Sequence, residues 1–169
     1  MTDQVIKTGR LILRKFTKSD APFIVELLNT PSFISFIGDR KVRSIKDAEN
    51  YIENRINASF RINGFGMWLV MLKDGERAIG TCGLVNREDI EDVDIGFAFL
   101  PEFMGKGYGY ESAKAVLEYS REELKLDRIA AIVNADNVVS KSLLKKLGFV
   151  FIEVITLNDG KEVEFMLPS

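Results

Sequence analysis

The chain has 169 residues, of which 46% are apolar and 28% are charged, and its formal net charge is −2. This composition is typical of one globular domain, and it lacks the overall positive charge that favours nucleic acid as a partner. There is no histidine and only one cysteine, Cys82. These counts exclude disulfide scaffolds, cysteine and histidine metal sites and histidine-based nucleophile systems. Because the chain has neither the apolar core of a signal peptide nor an apolar run of membrane-spanning length, we expect a cytoplasmic protein without a membrane partner.

The first 65 residues predict one strand and two helices. Residues 10–16 alternate as a first strand, and Ser19 or Asp20 caps a helix that ends near Thr30. Residues 32–43 have the pattern of a loop, yet residues 33–37 include four large apolar side chains. That segment is either a short helix packed into the core or an apolar wall over a binding cleft. Ser44 then caps a second helix, which ends before Asn63.

The remaining residues predict a sheet with one crossover helix. Residues 66–72 and 78–85 form a hairpin around Asp74-Gly75, and residues 93–100 follow as the fourth strand. An amphipathic helix up to residue 125 leads to a fifth strand over residues 128–133, which the helical crossover makes parallel to the fourth. A helix over residues 138–147 precedes a final hairpin of strands 149–156 and 162–167. We therefore expect a single α/β (α+β) domain over residues 1–169, with a mixed, mostly antiparallel sheet of about seven strands and about four helices.

A glycine-rich loop joins the fourth strand to the long helix. Gly105, Gly107 and Gly109 stand at alternate positions directly before the amphipathic run. A helix N-terminus offers free N–H groups and the positive end of the helix dipole, and glycines let a ligand approach those amides. The pattern favours a phosphate-bearing ligand, and the alternative is only a tight turn. The chain has no P-loop sequence, and Tyr110 occupies the last glycine position of a dinucleotide fingerprint, so both nucleotide-binding motifs are incomplete.

Five short motifs resemble those of the GNAT superfamily of N-acetyltransferases, and in particular the branch that includes the ribosomal-protein N-terminal acetyltransferases of the RimJ/RimL type. They are GRLILR at residues 9–14, IGTCGL at 79–84, DIGF at 94–97, MGKGYG at 104–109 and NVVSKSLLKKLGF at 137–149. The motifs follow the family's order over essentially the whole chain. The resemblance implies that the fourth and fifth strands splay apart and that acetyl-coenzyme A (acetyl-CoA) binds in the opening.

The resemblance also implies which residues hold acetyl-CoA. Its pyrophosphate would bind the backbone of the glycine loop, and its pantetheine arm would pair with the fourth strand like an additional strand. Lys106 would face the 3′-phosphate or remain solvated, and Asn137 is both a good helix cap and a candidate ligand of the pantetheine. The implied cofactor-binding residues are Phe97, Ala98, Phe99, Leu100, Met104, Gly105, Lys106, Gly107, Tyr108, Gly109, Asn137 and Ser140.

The tyrosine acid that many members carry in the last helix is replaced here by Leu144. The resemblance suggests Ser140 as the substitute, which would hydrogen-bond the sulfur or relay a proton to it. The alternative for Ser140 is a hydroxyl bonded within the first helical turn. Without histidine, the base that deprotonates the acceptor amine has to be a carboxylate that acts through water. Asp94 is the candidate because it shares strand parity with Gly96 and Ala98, and the alternative is that it belongs to a solvated strand edge.

We therefore predict an enzyme that transfers an acetyl group directly from acetyl-CoA to a primary amine, on a small molecule or on a protein N-terminus. Cys82 lies in an apolar strand and is predicted to be a core residue rather than a nucleophile. Two other functions remain open at this point: a noncatalytic acyl-CoA-binding sensor or interaction module on the same fold, and a nucleotide-binding protein. We expect a monomer or homodimer that needs no metal.

Overall fold

The computed structural model describes residues 5–169, which form a mixed eight-stranded sheet. In chain order the strands are β1 Ile6–Lys7, β2 Leu11–Arg14, β3 Met67–Leu72, β4 Ala78–Val85, β5 Val93–Phe99, β6 Ile129–Val133, β7 Phe149–Thr156 and β8 Glu162–Pro168. They lie side by side in the order β1-β2-β3-β4-β5-β6-β8-β7. Among these described strands only β5 and β6 pair in parallel, because a long helix carries the chain from one to the other. The predicted mixed, mostly antiparallel sheet is confirmed.

Six α-helices flank the sheet in the described part of the chain: α1 Ala21–Leu28, α2 Pro31–Phe36, α3 Ile45–Tyr51, α4 Asn57–Asn63, α5 Tyr108–Glu122 and α6 Val138–Lys146. A π-helical turn at Ile52–Ile56 joins α3 to α4, so the single helix predicted after Ser44 is divided in two. Ser44 caps that helix as predicted, since its side chain accepts the N–H of Asp47 at 3.0 Å. Short 3₁₀ turns occur at Lys18–Asp20 and Pro101–Phe103.

The differences from the predicted elements are confined to short segments. β1 adds a two-residue strand, which is too short to produce a periodic pattern. The apolar segment after Thr30 begins with α2, where the Thr30 side chain accepts the N–H of Phe33 at 3.3 Å. Phe33 is buried, and Phe36 and Ile37 border the large cavity described below. Both interpretations of this segment therefore hold, because the short helix supplies an apolar wall to a cleft.

The sheet opens between β5 and β6, as the resemblance implied. The two strands pair only at Val93–Ile129, Asp94–Ala130 and Ile95–Ala131. Beyond that point β5 continues beside β4 up to Phe99, whereas β6 continues beside β8. Four residues of β5 therefore have no neighbour on the β6 side of the sheet.

A single apolar core lies between the sheet and the helices. Trp68, Leu69 and Ile79 at its centre have no exposed surface. Within residues 5–169, no helix combines the length and the apolar character needed to cross a membrane.

Candidate active site

The glycine loop adopts the conformation that only glycine accepts without strain. Gly105 and Gly107 have φ angles of +74° and +86°, and Gly107 is the N-cap of α5. The first N–H groups of a helix have no partner within it, so those of Tyr108, Gly109 and their neighbours point out of the N-terminus of α5. A Cβ on Gly109 would lie 2.6 Å from the Leu143 side chain, so glycine there lets α5 approach α6 closely. The loop thus presents several backbone N–H donors at the N-terminus of a fifteen-residue helix.

The side chains of Arg10, directly before β2, and of Glu111 in α5 hold this loop in place. The Arg10 guanidinium donates from Nη1 to the Lys106 carbonyl at 3.1 Å and from Nε to Glu111 at 2.7 Å, and it stacks 4.3 Å above the centre of the Tyr108 ring. Glu111 also accepts from the Arg10 backbone N–H and from the Thr8 hydroxyl. These donors lower the pKa of Glu111 against the opposing effect of its partial burial. The carboxylate is therefore ionised and bonded at neutral pH, and it fixes the arginine that supports the loop.

The open edge of β5 presents backbone groups at alternate residues only. The N–H of Leu100 donates to the Ile79 carbonyl of β4 at 2.9 Å. Because hydrogen-bonding direction alternates along a strand, Ala98 also bonds toward β4, whereas Phe97 and Phe99 direct their N–H and C=O groups toward the opening. Of the four residues predicted to hold the pantetheine, Phe97 and Phe99 thus have free backbone groups, whereas those of Ala98 and the N–H of Leu100 bond toward β4.

The last helix brings two predicted residues to the other side of the opening. Asn137 caps α6, since its side chain accepts the N–H of Ser140 at 3.2 Å. The Ser140 hydroxyl, by contrast, makes no hydrogen bond to any described residue, so the helix does not occupy it. Leu144 is 2% exposed and borders the same cavity. A hydroxyl without an internal partner therefore faces the opening one turn before the position where many family members carry tyrosine.

A cavity of about 680 Å³ lies beside the opening of the sheet. It is bordered by Gly96, Phe97 and Ala98 of β5 and by Asn137 and Ser140 near the start of α6. From there it extends past α2 and α4 to the end of β4, the start of β5 and the turn between β7 and β8. The other residues predicted to hold acetyl-CoA do not line this cavity: Phe99, Leu100 and residues 104–109 of the glycine loop. The Lys106 ammonium lies 5.7 Å from the centre of the Phe103 ring.

Asp94 lies in the wall of the cavity and is 1% exposed. Its Oδ2 accepts from the Nε of Arg87 at 3.0 Å. Burial raises the pKa of Asp94 to about 6, although the guanidinium of Arg87 acts in the opposite direction. The carboxyl group is thus not part of a solvated edge. A carboxyl group that titrates near neutrality in a cavity wall has the property that a general base requires.

Cys82 is fully buried, and burial raises the pKa of its thiol to about 12. A thiol that stays protonated at neutral pH is a poor nucleophile. The structure therefore agrees with the prediction that Cys82 is a core residue.

Comparison with known proteins assigns the fold to a family. Residues 10–150 match the family model of the acetyltransferase (GNAT) domain. The chain belongs to the GNAT acetyltransferase family. It is 30% identical over 146 residues to the uncharacterized N-acetyltransferase YoaA of Bacillus subtilis (strain 168), a match that covers 86% of this chain and 82% of YoaA.

Two solved structures of this GNAT fold superpose over nearly the whole chain. A GNAT-family acetyltransferase from Bacillus anthracis has a TM-score of 0.78 and 25% identity, with 97% of this chain and 96% of that chain covered. The ribosomal L7/L12 α-N-protein acetyltransferase RimL, solved in complex with coenzyme A, has a TM-score of 0.81, 18% identity and the same coverage of 97% and 96%. The predicted fold, family and class of enzyme, an N-acetyltransferase, are confirmed.

Three residues of this site have roles that their sequence context does not indicate. Arg10 lies within the GRLILR motif, so the motif marks its position but not its contact with a loop almost a hundred residues later. Glu111 appears only as a polar residue of an amphipathic helix. Arg87 lies in a polar turn, and nothing in the sequence around it indicates that it pairs with Asp94.

Proposed function

We propose that this GNAT enzyme binds acetyl-CoA along the open edge of β5 and on the glycine loop, and that it transfers the acetyl group directly to a primary amine. The acceptor is a small molecule or a protein N-terminus, and residues 1–169 act as one domain in the cytoplasm. The observation that carries the proposal is the opening between β5 and β6, which leaves backbone groups of β5 unpaired beside a cavity that the unbonded hydroxyl of Ser140 also borders.

The residues present fit the cofactor that GNAT acetyltransferases use. The amides at Gly105 to Gly109 and the dipole of α5 suit the pyrophosphate, and the glycines leave space for its oxygens. The backbone groups of Phe97 and Phe99 suit the amides of an extended pantetheine arm, which would add to the sheet as a strand does. The Asn137 side chain keeps its cap while its amide N–H groups remain available, since they make no hydrogen bond to a described residue.

When bound, acetyl-CoA supplies an acetyl group activated as a thioester, so a C–N bond forms as the C–S bond breaks. Asp94 accepts the proton that the acceptor ammonium has to lose, through water, because its carboxylate is buried next to the opening. Ser140 would hydrogen-bond the departing sulfur or relay to it the second proton, which the nitrogen loses as the amide forms. The amide of Phe97 or Phe99 donates to the carbonyl oxygen where negative charge develops.

Calorimetric titration with coenzyme A tests the placement of the cofactor. Gly107→Asp adds a negative charge and a Cβ at φ +86°, 3.2 Å from the Arg10 guanidinium, so we expect binding to be lost. Gly75→Asp is the matched control, because Gly75 has a similar φ of +77° in the open β3–β4 turn. Equal coenzyme A affinity in both folded variants would show that the glycine loop does not hold the cofactor.

Acetyl transfer is then measured with the wild-type protein, by release of the coenzyme A thiol in the presence of a panel of primary amines. We expect release to depend on the amine. Coenzyme A binding without transfer to any amine of the panel would instead favour a noncatalytic acyl-CoA-binding module.

A further inference from the structure

Three basic side chains meet at the end of the cavity that lies away from the glycine loop. Arg40 follows α2, Arg87 follows β4, and Lys161 precedes β8, so three separate segments bring them together. The Lys161 ammonium donates to the carbonyls of Phe36 and Ile37 at 2.9 and 3.0 Å. Burial lowers the pKa of Lys161, the charge of Asp159 raises it, and the charges of Arg40 and Arg87 lower it further. The fold therefore holds both arginines within electrostatic range of Lys161.

Most hydrogen-bond donors of this basic cluster are unused. Arg87 bonds Asp94 through Nε, and within residues 5–169 its two terminal amino groups have no acceptor. The side chain of Arg40 is exposed and likewise makes no hydrogen bond to the described residues, and the Lys161 ammonium uses two of its three N–H groups. A guanidinium with free terminal amino groups presents the fork geometry that binds a carboxylate.

The carboxylates near the cluster do not satisfy these donors. Asp94 is already the partner of Arg87, and Asp159 accepts the backbone N–H of Lys161 at 2.9 Å. Glu88 borders the cavity but is exposed and makes no ion pair with the three cations in the described structure. These carboxylates thus leave the terminal amino groups of Arg87 and Arg40 without a hydrogen-bond acceptor among the described residues.

The cluster lies at a distance from the reaction site that one small substrate can span. Arg87 contacts Asp94, which precedes Gly96 by two residues, or roughly 7 Å along a strand. The opening begins directly after Ile95. An acceptor whose amine reaches the opening would therefore place a group several bonds away against the cations.

We propose that the acceptor amine belongs to an acidic substrate, whose carboxylate binds the terminal amino groups of Arg87 and Arg40. The inference rests on the proposed acetyl transfer and narrows its substrate class. A polyamine or lysine-rich acceptor would meet like charges in this cavity, whereas an aspartyl or glutamyl group would find unused donors.

The test compares three dipeptide amides with the same N-terminal alanine and with glutamate, glutamine or lysine in second position, together with free glutamate and spermidine. With acetyl-CoA, we expect kcat/KM for the glutamyl dipeptide or free glutamate to exceed that for the glutaminyl dipeptide about tenfold, and the lysyl dipeptide and spermidine to be the poorest acceptors. Arg40→Gln should reduce the preference for the acid to less than about twofold. Arg61→Gln, which removes an exposed cation of α4 that pairs with Glu53 outside the cluster, should preserve it.

The outcomes separate this inference from the proposed function. Equal kcat/KM values for the glutamyl and glutaminyl dipeptides, or a higher value for the lysyl dipeptide or spermidine, would refute the acidic acceptor. Such a result would not contradict the proposed acetyl transfer. An acid preference that is unchanged in folded Arg40→Gln and Arg40→Glu would also refute it, because Arg40 would then not bind the carboxylate. Coenzyme A binding without transfer to any of the five acceptors would overturn both.

Discussion

The buried carboxyl group of Asp94 should make the protein less stable as the pH rises toward neutrality. Its side chain is 1% exposed, and burial raises its pKa from an ordinary value of 3.8 to about 6. The folded protein therefore binds this proton more tightly than the unfolded chain does. The stability that the group contributes is fully present below about pH 4 and is lost as the pH rises through about 6.

The size of the effect follows from the two pKa values. They differ by about two pH units, and each unit corresponds to about 1.4 kcal/mol, so the total loss is about 3 kcal/mol. Integration of the two titrations assigns roughly half of it to the range between about pH 5 and 7.5. Carboxylates with a lowered pKa, such as Glu111 and Asp20, contribute little slope in that range, because they lose their stabilisation only as the pH falls through their lowered values.

Urea unfolding at several pH values between about 5 and 7.5 measures this slope directly. We expect the free energy of unfolding of the wild type to fall by about 1 kcal/mol across the range, and Asp94→Asn to remove most of the fall. Glu91→Gln, which replaces an exposed carboxylate of the turn before β5, is the matched control and should keep it. A flat or rising wild-type curve, or an equal slope in Asp94→Asn, would refute the argument that burial dominates the titration of Asp94.

Three further predictions concern activity and coenzyme A binding. If Asp94 is the base, kcat/KM should rise with pH through about 6, and Asp94→Asn should lose this rise. A pH profile that is unchanged in Asp94→Asn would exclude that role. Ser140→Ala should lower kcat about 100-fold. It should have little effect on the midpoint of urea unfolding, because the hydroxyl has no partner among the described residues. Ser142→Ala, which changes an exposed serine of the same helix, should leave kcat unchanged. Arg10→Gln should weaken coenzyme A binding about fivefold in calorimetry, because the glycine loop loses the contacts of this side chain. Arg128→Gln, which breaks an exposed ion pair with Asp92, should leave the affinity for coenzyme A unchanged. Equal affinities of these two variants would show that Arg10 does not organise the loop.

Local sequence patterns predicted most of the secondary structure. The cap at Ser44, the Asp74-Gly75 hairpin and the strand–loop–helix around Gly107 rest on hydrogen bonds and backbone conformations that adjacent residues determine. The short β1, which pairs with the adjacent β2, and the π-helical turn at Ile52–Ile56 were missed because two and five residues are too few to show a pattern. Neither leaves a periodic pattern in its own residues.

The candidate site was predictable where it is built from backbone and not where it is built from side-chain pairs. The glycine loop, Asn137 and Ser140 lie in motifs whose spacing is visible in the sequence. The backbone groups of Phe97 are free and the N–H of Leu100 is bonded because hydrogen-bonding direction alternates along the chain. Which residues are free therefore depends on the register between β5 and β4. The sequence carries no direct signal of that register.

By itself, the sequence determined the family, the glycine loop, the crossover helix and the absence of histidine chemistry, because these follow from residue type and short-range spacing. Only the tertiary structure decided that Asp94 is buried against Arg87 and that Arg10 supports the loop. It also decided that Arg40, Arg87 and Lys161 share one end of the cavity. The physical reason is that desolvation and charge interaction depend on distance in space, and folding brings these groups together from segments that are far apart in the chain.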